Sequence, residues 1–200
     1  MPWKNGHGIT HELIALRDAE DAPSGSFVLR LSIAEIAAAA PFSAFPGCDR
    51  TILLLSGDGM VLSGGPRSEQ RLDRKFQPYE FQGEWPLDCR LLGGPCRDFN
   101  IMVDRRRARA FVKVMSVIAS PQRAFARCSA ALLFALDGQI TVEIEGQAAS
   151  FTLLPEHALW LAAADRSVEN CALKVRASGP PATALFVAFT RLPARAQSSG

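Results

Sequence analysis

The apolar runs of this chain are short, rich in Val, Ile, Leu and Phe, and set apart by Gly, Pro and Asp. That grammar favours strands over helices, because branched and aromatic side chains suit a pleated sheet and the intervening residues suit tight turns. Strands are expected at Ser26 to Ser32, Thr51 to Ser56, Met60 to Ser63, Ala110 to Val117, Ala130 to Leu136 and Gln139 to Ile144. Only Ala34 to Ala40 reads as helical: four consecutive alanines follow Glu35 and Ile36, and Pro41 stops the run. One short helix among many strands predicts an all-β sandwich or barrel. At 48% hydrophobic over 200 residues, the chain can bury a core without disulfide help, as one large domain or two small ones.

A faint internal echo runs through these strands. ILLLSGDGMVLSGG, from Ile52, reads as strand, tight turn, strand, and ALLFALDGQITVEIEG, from Ala131, repeats the pattern. Gly57-Asp58-Gly59 and Asp137-Gly138 carry glycines that tolerate the positive φ of a two-residue hairpin. A proline-led turn and a strand follow each, Pro78 to Phe81 and Pro155 to Trp160. Two similar barrels in tandem would account for the echo, as would the regular turn spacing common to all-β folds. The boundary is expected near Val114 to Pro121. That gives an N-terminal domain over 1–115 holding a ligand pocket, a C-terminal domain over 116–193 and a disordered tail over 194–200.

Charge and motifs narrow the function classes. A net charge of +2 creates no long-range field of the kind nucleic-acid binders use. The run Arg105-Arg106-Arg107-Ala108-Arg109 lacks interleaved aromatics and reads as a solvated face, so no nucleic-acid partner is expected. No run approaches the roughly 20 apolar residues of a bilayer helix and no targeting segment is visible, which predicts a cytoplasmic protein without a membrane partner. Five scattered cysteines without a CxxC pair read as reduced, mostly buried thiols. There is no GxSxG elbow, no P-loop and no GxGxxG after a strand. Histidine occurs only at His7, His11 and His157. A facial triad of His7, His11 and Glu12 is disfavoured because neighbours in an extended segment point to opposite faces. No catalytic residue, metal ligand or cofactor is therefore assigned.

Polar residues concentrate in four segments: the opening stretch through Asn5, His7 and Thr10; Arg30 and Ser32, which share one face of a strand; Phe42 to Arg50; and Asp98, Asn100 and Met102, which share a face of another. An arginine on the inward face of a barrel would be costly unless it met an anion or a carboxylate. Together PWKNGHGITHE, FVLRLSIAEI, PFSAFPGCDRTILLLSGDG, FQGEWPLDC and DFNIMVDRR, in this order and separation, resemble the HutD/Ves family, over residues 2 to about 107. Beyond that the match is a hydrophobic pattern.

The resemblance implies two cupin-like (RmlC-like) β-barrels in tandem, a bicupin. It also implies a cytoplasmic small-molecule pocket proposed to sense urocanate or a related product of histidine breakdown, in a family without an established reaction. The family pattern has a further strand ahead of the PWKNG motif, and this sequence departs from it in opening on the motif. Carried onto this sequence, the ligand-binding candidates are Asn5, Thr10, Arg30, Ser32, Arg50 and Asn100. Arg30 and Arg50 would hold a carboxylate bidentately, and the others would orient the remainder. Trp3, Phe42 and Phe81 are assigned to core, and Asp98 is open to the alternative of an internal ion pair. Two other function classes stand beside this sensor reading: a metal-dependent cupin enzyme of isomerase or dioxygenase type, and a scaffold that forms a homodimer through a strand edge.

Overall fold

The computed structural model describes residues 8–18, 26–162 and 169–193, and among these every regular element is a strand. The chain divides into two compact units, residues 1–108 and 109–200. The first contains β1 (Gly8–Leu16), β2 (Leu29–Ile36), β3 (Ala40–Pro41), β4 (Cys48–Ser56), β5 (Met60–Ser63), β6 (Gln70–Leu72), β7 (Tyr79–Gln82), β8 (Asp88–Leu91) and β9 (Cys96–Asp104). The second is built from β10 (Ala108–Val117), β11 (Gln122–Cys128), β12 (Ala130–Asp137), β13 (Ile140–Ile144), β14 (Ser150–Leu153), β15 (Ala158–Ala162), β16 (Glu169–Ala177) and β17 (Ala182–Arg191).

Each unit consists of two antiparallel sheets. In the first, the sheets run β1-β2-β9-β4-β7 and β3-β8-β5-β6; in the second, β10-β17-β12-β15 and β11-β16-β13-β14. Adding eight to the strand numbers of the first unit reproduces both orders of the second, with β1 as the one additional strand. The core of the first unit is filled by Ile36, Ile52, Leu54, Met60, Leu62 and Phe81, drawn from both of its sheets. Its counterpart in the second unit includes Val117, Leu133, Ile140, Val142, Val175 and Phe186, all nearly inaccessible.

Two expectations are corrected. The stretch Ala34 to Ala40 is not a helix: Ala34 to Ile36 complete β2, and Ala40 opens β3. Alanine's helix preference is worth only tenths of a kcal/mol per residue. Against it, β2 is hydrogen-bonded on both edges, with Ile36 opposite Gly8 of β1 and Cys96 of β9, and Ile36 is 1% exposed. The two glycine turns also differ from hairpins. β4 pairs with β7 and β9 while β5 pairs with β6 and β8, so Gly57-Asp58-Gly59 carries the chain from one sheet to the other, as Asp137-Gly138 does in the second unit. The positive φ values are present, 95° at Gly59 and 71° at Gly138, but they serve a sheet-to-sheet crossing.

The sequence ILLL shows no alternation because β4 is buried on both faces: Ile52 and Leu54 enter the core, and Leu53 and Leu55 on the opposite face are also buried. β2 and β9 share this property, with Leu29, Leu31, Phe99, Ile101 and Val103 buried opposite the polar row. These three adjacent strands form the rigid floor on which the candidate site stands.

Candidate functional site

Register places the polar side chains of three strands in one patch. Arg30 lies opposite Met102, which lies opposite Arg50; Ser32, Asn100 and Ile52 form the next row, then Ala34, Asp98 and Leu54. Because side chains alternate along a strand and Ile36, Ile52, Leu54 and Cys96 of the same parity enter the first unit's core, all of these face its interior. Ser32, Arg50, Asp98 and Asn100 are each buried.

Arg50 is the centre of the patch. Its Nη2 donates to Asn100 Oδ1 at 2.9 Å and its Nη1 to the Ser43 carbonyl at 3.1 Å. Three rings surround the guanidinium, with Cζ 5.3 Å from the Phe42 centroid, 5.4 Å from Phe45 and 4.8 Å from Phe81. A planar, weakly hydrated guanidinium is the cation best suited to such a box, and each ring face attracts it. The Asn100 amide nitrogen in turn donates to Asp98 Oδ1, so the amide relays between cation and carboxyl, and its orientation follows from having a pure donor on one side. Within this patch two buried polar atoms keep no hydrogen-bond partner, Arg50 Nε and Asp98 Oδ2. Burial pushes the Asp98 carboxyl up to about 7 despite the opposing pull of Arg50 and the Asn100 hydrogen bond. Burial likewise lowers Arg50 to about 10, which leaves it charged at neutral pH.

The other candidates fall at varying distance from this centre. Arg30 faces the same interior but already meets a carboxylate of the chain, donating from Nε to Glu12 Oε2 at 2.9 Å. Thr10, on β1, is half-buried and opposite Ala34, in the row of Asp98. Asn5, like Trp3 and His7, lies outside the described residues. His11 turns to the opposite face from Glu12, with its Nε2 3.5 Å from Glu35 Oε1, as strand alternation requires. Among the described residues no three of His, Cys, Asp and Glu are grouped to hold a metal ion.

Phe81 lies in the first unit's core and Phe42 packs against it, as expected, and together with Phe45, which sequence reasoning passed over, they also wall the Arg50 guanidinium. The Phe42-Ser43-Ala44-Phe45 spacing, two aromatics flanking a carbonyl that Arg50 uses, was the available signal. Asp49 does not pair with Arg50; it faces the other way and accepts from Arg105 Nε at 2.8 Å. The basic run is correspondingly less solvated than expected: Arg105 also holds Glu84 and the Cys48 carbonyl, and Arg107 holds Asp104 and the Phe27 carbonyl. A cavity in the second unit, lined in part by Cys128, Ser129 and Cys171, had no counterpart in the sequence reading.

The HutD family profile matches residues 1–180. A protein from Pseudomonas putida, described as an uncharacterized 21.2 kDa protein in the hutC 3' region, is 39% identical over 148 residues, 74% of each chain. Protein Ves of Cronobacter sakazakii is 39% identical over 113 residues, 56% of this chain and 59% of its own. Among solved structures, HutD from Pseudomonas fluorescens SBW25, obtained in a formate condition, superposes with a TM-score of 0.78 at 29% identity, covering 96% of this chain and 94% of that one. A cupin 2 conserved barrel domain protein from Leptotrichia buccalis gives 0.59 at 11% identity over 94% and 91%, a likeness of fold alone that makes the architecture cupin-like. No described helix is long and apolar enough to cross a membrane.

Proposed function

The chain belongs to the HutD family, and from that premise we propose that its first unit binds a small carboxylate, urocanate or a related intermediate of histidine degradation, and so reports on histidine utilisation. The observation that carries this reading is the Arg50 guanidinium: buried, boxed by three rings, hydrogen-bonded to neutral oxygens only, and carrying an Nε without a partner. A buried cation whose hydrogen bonds go to an amide and a carbonyl has unspent capacity for an anion. Asp98 Oδ2, the other orphan, would accept from a ligand N–H. A ligand carrying both a carboxylate and an imidazole answers both groups. Ser32, Thr10 and the amide of Asn100 would orient it, while Arg30, held by Glu12, would contribute positive potential rather than a direct fork. The proposed pocket is cytoplasmic, needs no cofactor, and belongs to the first of two cupin-like barrels; the repeated strand order supports reading the units as a tandem pair.

Thermal shift with urocanate, formylglutamate and formate tests the assignment. At millimolar ligand the wild type should gain several degrees with at least one of them, and Arg50→Met should lose that gain while remaining folded. Absence of any shift in the wild type, or an equal shift in the variant, rejects the site.

A further inference from the structure

The second unit holds two thiols that the carboxylate reading leaves unused. Cys128 ends β11 and Cys171 lies on β16, which pairs with it antiparallel: Cys128 stands opposite Glu169 and Ala126 opposite Cys171, so the cysteines are diagonal neighbours on adjacent strands. Both side chains point inward, Cys128 as part of the buried core and Cys171 packed against it. Both also line a cavity of about 250 Å³, together with Ser129, Glu145, Gln147 and Asn170. We propose that Cys128 and Cys171 form a reactive dithiol that small aliphatic disulfides oxidise through this cavity.

Register and cavity bring the two thiols together, and their opposite shifts set the order of events. The Cys128 thiol makes only a long, 4.0 Å contact to the Ala126 carbonyl, and the proximity of the Cys171 thiol lowers Cys128 from its ordinary value while raising Cys171, so Cys128 is the first of the pair to ionise. The Cys128 thiolate attacks one sulfur of an entering disulfide RS–SR; the S–S bond breaks, a Cys128–SR bond forms, and RS⁻ leaves and takes up a proton. Cys171, giving up its own proton, then attacks the Cys128 sulfur and expels the second RS⁻, which is protonated to RSH. The protein dithiol has lost two electrons and two protons to the disulfide, which becomes two thiols. The other three cysteines serve as internal controls. Cys48, Cys89 and Cys96 are buried in the first unit, and burial holds Cys89 near 12 and Cys96 near 11, far from the thiolate at neutral pH.

Cystamine is the probe, and intact mass with peptide mapping the readout, on the full chain under native conditions. The wild type should lose the mass of two hydrogens and yield a Cys128–Cys171 cross-linked peptide that dithiothreitol reverses. Cys171→Ser should stop at a single cysteamine adduct on Cys128, and Cys128→Ser should react at least about tenfold more slowly. The proposal is overturned if the wild type stays unmodified, if it retains a stable adduct without cross-linking, or if Cys48, Cys89 or Cys96 reacts first. The wild-type result decides even if a variant fails to fold.

Discussion

Replacing Asp98 by Asn should remove a pH dependence of stability that the buried carboxyl imposes. The folded state holds the Asp98 proton to about 7, against an ordinary value of 3.8 for the unfolded chain. A group with a raised folded pKa contributes its full stability only below the unfolded value and loses it as pH rises through the folded one. Between those limits the unfolded chain has already released a proton that the folded protein retains. Linkage between those two values gives a loss of about 2 kcal/mol by pH 5 and about 4 kcal/mol by pH 8, a change of about 2–3 kcal/mol across the interval. Arg50, lowered only to about 10, stays charged throughout and does not enter. Asparagine keeps the oxygen that accepts from Asn100, so its own cost should be nearly independent of pH. Urea unfolding of both proteins at about pH 5 and pH 8 measures the effect, and taking the variant-minus-wild-type difference at each pH cancels the other titrating groups. The variant should gain about 2–3 kcal/mol relative to wild type on going from the lower to the higher pH. An unchanged difference would mean that Asp98 is ionised in the folded state at both values, and the account of the Arg50–Asn100–Asp98 relay would fail.

Three further substitutions probe the scaffold. Phe186→Ala empties a site 1% exposed in the core of the second unit and should cost about 3–5 kcal/mol in urea unfolding. Gly59→Ala places a Cβ 2.1 Å from the Leu72 carbonyl at a φ of 95°, so a loss of at least about 2 kcal/mol is expected; a neutral result would refute the tight sheet-to-sheet crossing. Glu12→Ala strips the mostly buried Arg30 of its carboxylate and should lower the urea midpoint by the equivalent of about 1 kcal/mol, with Arg30→Met largely neutral in the Glu12→Ala background.

Much of this was legible in the residues because strand patterning is local. Met60 to Ser63 is β5 as expected, and the expected strands at Thr51, Ala110, Ala130 and Gln139 overlap β4, β10, β12 and β13. The inward sharing of Arg30 with Ser32 and of Asp98 with Asn100 follows from alternation alone. Where reasoning failed, long-range pairing overrode a local signal. Ala34 to Ile36 are helix-prone residues captured by two flanking strands, and the glycine turns obeyed their φ requirement while joining strands that do not pair. Phe42 and Phe45 share one short segment, but Phe81 comes from β7 and Arg50 from β4, and only tertiary packing brings all three rings over one guanidinium. Cys128 and Cys171 meet for the same reason, through a β11–β16 register that no spacing rule could supply.

The sheet-to-sheet crossings carry a kinetic consequence. Among the described ladders only β1–β2, β5–β6 and β13–β14 join strands that are consecutive in the chain. Few contacts can therefore zip outward from a turn, and most must await the closure of a loop containing several unformed strands, which costs entropy before any contact rewards it. Refolding should accordingly be slow for the chain's size, on the order of milliseconds to seconds. During that interval the doubly apolar segments that become β4 and β9 are exposed together, which makes the nascent polypeptide prone to self-association before it is complete.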